Sequence, residues 1–298
     1  MQLLESVRSL LGRYGSTASA QPLPAAAPAP LLVPEAALSE DDDPEWPTAR
    51  VGVAEALWGE GFLFPGGRDE ALRLAKPLGL SAAGSLLFIG AGPGGAPRVI
   101  TTELGVWVTG YESNPHLVAV ANERSARAGL GRRAQVEPWD PFAPQFPSHY
   151  YHHAIAIEPL RGGPPEALLA AVAGALKPAA QFVLVEAVSD KPFNPADATM
   201  VHWAGLERRP ADVPSELEIT RTLRRFGFDV RIAEDISQRH MHQAMAGWGQ
   251  AVQAIAGVRP TVQQLALIVH EAELWLARLR LMREGRLRLV RWHAIGKT

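Results

Sequence analysis

The sequence has 298 residues, a hydrophobic fraction of 47% and a formal net charge of −2. This composition is ample for a buried core, and its charge argues against a general nucleic-acid binder or a polybasic membrane binder. Because cysteine is absent, disulfides, thiol nucleophiles and cysteine-ligated metals are excluded. No apolar run has the roughly 18 residues of a membrane span, and the start lacks a signal-peptide pattern. We therefore expect a cytoplasmic protein.

The first 48 residues are predicted to form a short helix and a linker. Apolar residues recur at helical spacing within 1–14, which predicts an amphipathic helix that docks on a protein or at a membrane surface. Residues 15–48 are rich in alanine and proline, and closely spaced prolines favour an extended chain. A globular domain is predicted for 49–298.

Strand and helix patterns alternate along this domain. Strands are predicted at 86–89, 106–111, 135–137, 154–157, 181–186 and 228–233. Helices are predicted at 68–77, from the loop after the first strand to about 104, and at 115–128, 165–176 and 215–226. Residues 238–285 form a helical insert, and residues 286–295 alternate as expected of an edge strand. Strands separated by helices indicate a parallel sheet with right-handed crossovers.

A glycine loop follows the first predicted strand in the stretch SLLFIGAGPGG, residues 85–95. Gly90, Gly92 and Gly95 match the G-x-G-x-x-G pattern of dinucleotide-binding folds. Glu112 lies 22 residues after Gly90, where an acid can accept from ribose hydroxyls. The loop and this acid predict a ligand that contains adenosine. They leave open whether it is a dinucleotide or S-adenosylmethionine.

Three further features favour S-adenosylmethionine. About forty globular residues precede the loop, whereas dinucleotide fingerprints usually open their domain. The sequence VEPWDP places Asp140 after the third strand, where it can accept from an adenine amino group. The stretch EALLAAVAGALKPAAQFVLVEAV (166–188) reads as a helix, a Lys-Pro stop and a strand. Residues 51–298 resemble the class I S-adenosylmethionine-dependent methyltransferases, of the type that acts on small molecules and lipid headgroups. The resemblance rests on this stretch and on the motifs IGAGPGG, GYES and WD.

The resemblance implies an α/β, Rossmann-like, doubly wound and mostly parallel seven-stranded sheet, with the last strand antiparallel and a helical cap insert at 238–285. It implies S-adenosylmethionine as cofactor, and the following residues as its contacts: Gly90, Ala91, Gly92, Gly94, Glu112, Ser113, Trp139 and Asp140. One position departs from the pattern. The family usually has an acid two residues before the first glycine, where it helps to hold the methionine ammonium, and here that residue is Phe88.

Glu158 is the candidate catalytic residue, because it follows the fourth strand at the edge where ligands bind. A half-buried carboxylate there can have a raised pKa and accept a proton; the alternative is a salt bridge to an arginine such as Arg161. Aromatic residues are the candidate substrate contacts: Trp58, Phe62, Phe64, Trp203 and Trp248. Core packing is the alternative for the tryptophans, and no metal site is predicted.

The predicted function is methyl transfer to a small or amphiphilic, largely apolar acceptor, a small molecule or lipid-like substrate. We expect a mostly apolar acceptor cavity covered by residues 58–67 and by the insert at 238–285. Two alternatives remain: an oxidoreductase that binds FAD or NAD through the glycine loop, and a methyltransferase-fold binding or regulatory protein without catalysis. The sequence does not predict an oligomeric state.

Overall fold

The computed structural model describes residues 45–161, 165–255 and 261–297. The predicted helix at 1–14 and most of the predicted linker lie outside these ranges. The helices are Thr48–Trp58 (α1), Gly67–Ala75 (α2), Gly95–Leu104 (α3), Pro115–Arg127 (α4), Pro165–Ala175 (α5), Ala198–Leu206 (α6), Glu216–Arg225 (α7), Ser237–Ile255 (α8) and Val262–Arg283 (α9). Within the described residues, no helix is long and apolar enough to cross a bilayer.

A single seven-stranded sheet runs through the described domain. Its strands are Ser85–Ile89 (β1), Trp107–Glu112 (β2), Ala134–Pro138 (β3), Tyr151–Ile157 (β4), Leu176–Val188 (β5), Phe228–Asp235 (β6) and Arg288–Gly296 (β7). The spatial order is β3-β2-β1-β4-β5-β7-β6. Strands β1 to β5 pair in parallel, and β7 pairs antiparallel with both β5 and β6. The predicted Rossmann-like sheet with an antiparallel last strand is confirmed.

Helices cover both faces of this sheet, which explains why its central strands are continuously apolar. In β1, Leu86 and Phe88 belong to the hydrophobic cluster that contains residues of α1, α2, α3, α8 and α9. Leu87 and Ile89 belong to the second cluster, which contains residues of α5 and α7. Alternate residues of one strand therefore pack into two cores, and the strand ends are left at the edges of the sheet.

Three features differ from the sequence prediction. The prediction of an edge strand at 286–295 is wrong, because β7 lies between β5 and β6 and the edges are β3 and β6. Alternation alone does not distinguish an edge strand from a covered one. Helix α1 was not predicted, and no bounds were predicted for α6. The prolines at 44 and 47 made the start of α1 look like linker, although Trp46 already packs against the core.

Candidate active site

A cavity of about 450 Å³ opens at the carboxyl ends of β1, β2 and β4. The strand order reverses between β1 and β4, and sheets of this type bind their ligands at such a reversal. One half of the cavity wall, the cofactor half, is formed by the segments that follow β1, β2 and β3. The other half, the acceptor half, is formed by α1, α9 and the segments that follow β4 and α6.

The glycine loop forms the floor of the cofactor half. Gly90, Gly92 and Gly94 have positive φ angles of 81°, 52° and 80°. The N–H groups of Gly90 and Ala91 donate to the carbonyl oxygen of Tyr111, at 3.0 and 3.1 Å, and so fix the loop to the end of β2. Gly90, Ala91 and Gly92 line the cavity, whereas Gly94 immediately precedes α3 and does not.

Glycine is required at position 90 for two reasons: its φ angle is positive, and another segment of backbone lies close to its Cα. A Cβ on Gly90 would overlap the carbonyl oxygen of Ile157, at the end of β4. Gly79 provides a matched control, because its φ is 63° and nothing lies within 4 Å of an added Cβ. Gly79→Ala should cost about 1–2 kcal/mol for the left-handed backbone. Gly90→Ala should cost about 1–2 kcal/mol more, because of the overlap. Denaturant unfolding checks this, and equal losses would contradict it.

Glu112, the last residue of β2, holds the loop through its carboxylate. Its oxygens accept from the N–H of Gly92 at 2.8 Å, the N–H of Asn114 at 3.0 Å and the hydroxyl of Ser113 at 3.4 Å. Burial raises the pKa of the Glu112 carboxyl, while these hydrogen bonds act in the opposite direction. A carboxylate has about four acceptor positions. Glu112, which lines the cavity, can therefore accept one further donor from a ligand.

The start of α3 is closed by the segment that follows α1. The N–H of Gly95 donates to the carbonyl oxygen of Gly61 at 2.9 Å, and the N–H of Gly94 donates to Ala91 at 3.0 Å. Gly61 is itself held, because its N–H donates to Glu55 at 2.8 Å. Together with the N–H groups of Gly90, Ala91 and Gly92, five backbone donors of the loop already have partners in the protein.

The other predicted cofactor residues have different positions. Ser113 and Trp139 line the cavity. Asp140 is exposed and is not among the described lining residues; its carboxylate accepts from the N–H of Phe142 at 2.8 Å. In this structure Asp140 shapes the turn after β3, so its contact with adenine stays a prediction.

Glu158, which lines the acceptor half, is held by three arginines. Arg278 forms a bidentate pair with its carboxylate, with N–O distances of 2.7 and 3.0 Å. Arg161 and Arg209 lie 3.3 and 3.8 Å from it. Arg278 also donates to Glu207 at 2.8 Å. These residues form one buried charge network at the ends of β4 and α6.

The predicted raised pKa of Glu158 is wrong. Burial alone would raise the pKa, but Arg278 and Arg161 outweigh burial and hold the pKa of the Glu158 carboxyl well below its usual range. A carboxylate that is ionised and paired in this way is a poor proton acceptor. The salt-bridge alternative describes Glu158 better than a general base does.

Of the five predicted substrate contacts, two line the cavity. Trp58 and Phe64 do, and Trp58 packs edge-on against Trp275 with ring centroids 4.9 Å apart. Phe62, Trp203 and Trp248 are buried in the core instead and are absent from the described lining. The indole N–H of Trp203 donates to Glu207 at 2.9 Å.

The cavity differs in part from the predicted cover and polarity. Of the helical insert, α9 contributes four residues to the wall, but the described part of α8 contributes none. The four are Glu271, Leu274, Trp275 and Arg278. The segment predicted at 58–67 does line the cavity, and α1 with the residues before it adds a part of the wall that was not predicted. Apolar residues and glycines form most of the lining, but the acceptor half also contains eight charged residues: Glu45, Arg50, Glu158, Arg161, Glu207, Arg208, Glu271 and Arg278.

Comparisons with known proteins agree with this geometry. No family model matches the chain. Phosphoethanolamine N-methyltransferase 2 of Caenorhabditis elegans is 28% identical over 145 residues, which cover 48% of this chain and 33% of that protein. The 27-O-demethylrifamycin SV methyltransferase of Amycolatopsis mediterranei is 28% identical over 226 residues, which cover 71% of this chain and 81% of that protein.

A solved structure gives the decisive likeness of fold. Phosphoethanolamine N-methyltransferase 2 of Haemonchus contortus, in complex with phosphomonomethylethanolamine and S-adenosylhomocysteine, superposes with a TM-score of 0.71 at 17% identity. The match covers 84% of this chain and 57% of that one. The chain has the class I methyltransferase fold. It spans about a third of the length of the first curated relative.

Several residues of this methyltransferase fold's cavity were missed by the sequence analysis. Glu271, Trp275 and Arg278 lie at i, i+4 and i+7 on α9, so they share one face of the helix. The sequence pattern could have indicated this, because two charged residues share a helix face with a tryptophan. In the structure that face is buried. Arg50 pairs with Glu271 at 2.5 Å and lies over the ring of Trp46. Its role depends on α1, which was not predicted.

Proposed function

We propose that this chain is an S-adenosylmethionine-dependent methyltransferase that acts on a small-molecule acceptor. The observation that carries the proposal is the state of the glycine loop. The Gly92 N–H faces the Glu112 carboxylate and the Gly95 N–H faces the Gly61 carbonyl. A dinucleotide pyrophosphate needs such N–H groups free at the start of a helix. Here it would meet a carboxylate and a carbonyl oxygen instead.

These oxygens suit a ligand without phosphate. The ribose hydroxyls of S-adenosylmethionine are donors, and Glu112 has room for one more donor. The ammonium and sulfonium groups of S-adenosylmethionine are positively charged, so a carboxylate in the cavity wall favours their binding. The glycine loop, Glu112, Ser113 and Trp139 are therefore proposed to hold the cofactor, which supplies a methyl group activated by its sulfonium.

Phe88 occupies the position of the family's usual acid. Its side chain is 0% exposed and packs in the core, between neighbours on β2 and β4. Phe88→Asp would therefore bury a carboxylate in the core and would not provide an acid at the cavity. We propose that carbonyl oxygens of Gly90 and its neighbours accept the ammonium instead.

The remaining residues orient the acceptor and keep water out. Trp58 and Phe64 line the cavity and can keep water from the reacting groups. Good alignment of two reactants contributes up to roughly 7–11 kcal/mol. The curated relatives are named for different acceptors. The similarity to these relatives thus supports methyl transfer to a small molecule but does not identify the acceptor.

Calorimetric titration of the full chain tests the proposal. S-adenosylhomocysteine should bind, whereas NAD and FAD should not. Glu112→Gln should weaken this binding about tenfold, the effect of losing one hydrogen bond to a charged group. Glu137→Gln is the control, because Glu137 lies near the end of the neighbouring β3 and does not line the cavity. Binding of a dinucleotide in place of S-adenosylhomocysteine would refute the proposal.

A further inference from the structure

The acceptor half of the cavity holds charge but offers no evident proton acceptor. The described lining contains no histidine, lysine or tyrosine. Its titratable side chains other than arginine are five carboxylates, of Glu45, Glu112, Glu158, Glu207 and Glu271. A general base for methyl transfer would have to be one of these among the described residues.

Four of the five carboxylates are engaged. Glu158 and Glu207 share Arg278, and its charge holds the pKa of both carboxyls below the usual range. Glu271 pairs with Arg50 at 2.5 Å, and Glu112 belongs to the glycine loop. The fifth, Glu45, precedes α1 and is not free of contacts either. The wall is therefore unsuited to take a proton from an acceptor.

Arginines dominate the accessible charge beside the strand ends. Arg161 follows β4 and Arg208 follows α6; both line the cavity and both are exposed. The side chain of Arg161 is 43% exposed, and its one ion pair among the described residues is to Glu158 at 3.3 Å. Glu158 is already paired bidentately with Arg278. A negative group that enters the cavity would thus be attracted to Arg161 and Arg208.

We propose that the acceptor carries a negative charge on the atom that is methylated. It is an ionised acidic hydroxyl, thiol or carboxyl group on an aromatic scaffold. The anion faces Arg161 and Arg208, and the ring lies against Trp58 and Trp275. This proposal rests on the proposed function and names its substrate class. Arginine is suited to binding such an anion, because its planar donors match the geometry of oxyanions and its side chain stays protonated.

An acceptor of this class does not need a general base, which the described lining does not offer. The electron pair of the anion forms the new bond to the methyl carbon, and the pair of the broken carbon–sulfur bond goes to sulfur. The negative charge of the acceptor and the positive charge of the sulfonium cancel. No proton is released in the step, so no residue has to remove one.

Binding of matched aromatic probes tests the proposal without turnover. The anions are 4-nitrophenolate, 4-nitrothiophenolate and 4-nitrobenzoate; 4-nitroanisole and 4-nitrobenzamide are neutral counterparts, and 4-nitrobenzylamine is cationic. Each is titrated into the complex with S-adenosylhomocysteine. At least one anion should bind about tenfold more tightly than the neutral probes, and the order of the three identifies the acidic group. Neutral or cationic probes that bind as tightly as every anion would overturn the proposal, as would absence of binding by all three anions.

Variants of Arg161 test whether its charge causes the preference for anionic probes. Arg161→Gln should remove most of the preference, whereas Arg161→Lys should retain part of it. Arg225→Gln is the matched control, because Arg225 is 57% exposed, pairs with Glu166 at the same 3.3 Å and lies outside the cavity. If Arg161→Gln and Arg225→Gln have equal effects, the proposal is wrong.

A spectroscopic readout completes the test. Near half-ionisation of 4-nitrophenol in water, the bound probe should show more of the phenolate band than the free probe, because Arg161 favours the ionised form. A bound probe that is less ionised than the free one would overturn the proposal. Failure of S-adenosylhomocysteine to bind at the outset would refute the proposed function instead, so the two failures are distinguishable.

Discussion

Arg278→Met should lower the free energy of unfolding by about 3–5 kcal/mol, the cost of leaving buried charges without their partner. Arg278 is almost fully buried and donates to both Glu158 and Glu207. Its removal would leave the two buried carboxylates with only the longer ion pairs to Arg161 and Arg209. Unfolding by denaturant, followed by tryptophan fluorescence, measures the loss.

A control on the same helix separates this effect from helix propensity. Arg280 is 61% exposed and pairs with Glu284 at 2.9 Å. Exposed pairs of this kind contribute about 0–1 kcal/mol, so Arg280→Met should have little effect. A loss in Arg278→Met as small as that of the control would show that the buried network contributes little to stability.

Acidification should destabilise the protein through His240, and His240→Leu should remove this part of the loss. Burial, with the nearby charge of Arg278, lowers the pKa of His240 from 6.5 to about 3. The native state therefore keeps this imidazole neutral, while the unfolded state takes up a proton below pH 6.5. Because the unfolded state binds more protons, stability is complete above pH 6.5 and is lost as the pH falls toward 3.

The expected size follows from the same linkage. Each pH unit within this window costs about 1.4 kcal/mol, so two units below 6.5 cost about 2.7 kcal/mol. The measurement is the free energy of unfolding against pH for the wild type and for His240→Leu. His242→Leu is the control, because His242 is exposed on the same helix. Parallel curves for the wild type and His240→Leu would contradict the assignment.

Local sequence signals were sufficient for most of the sheet and for several residues of the cofactor half, although Gly94 and Asp140 do not line the cavity. Each strand is a short apolar run that ends in a turn, and residues at the carboxyl ends of neighbouring parallel strands meet at one edge. Gly90, Glu112 and Glu158 could therefore be placed near one another from the sequence, because their positions depend on local pattern and strand order.

The acceptor half could not be predicted in the same way, because it depends on contacts between distant segments. The pKa of Glu158 is set by Arg278, which is 120 residues away in sequence. Whether Trp248 lines a cavity or the core depends on how α8 packs against α1, and α1 itself was not predicted. The apolar composition of the insert did not reveal that its charged residues Glu271 and Arg278 face the cavity beside Leu274 and Trp275.

The position of β7 has a consequence for how the chain folds. Strand β6 pairs within the sheet only with β7, and β7 also pairs with β5, although residues 189–287 separate β5 from β7. During synthesis, the parallel part from β1 to β5 can therefore assemble while β5 still presents an unpaired edge. Closing a loop of that length is slow, and an open strand edge in the meantime can pair with another chain. The protein is therefore most prone to aggregation in the interval before β7 docks between β5 and β6.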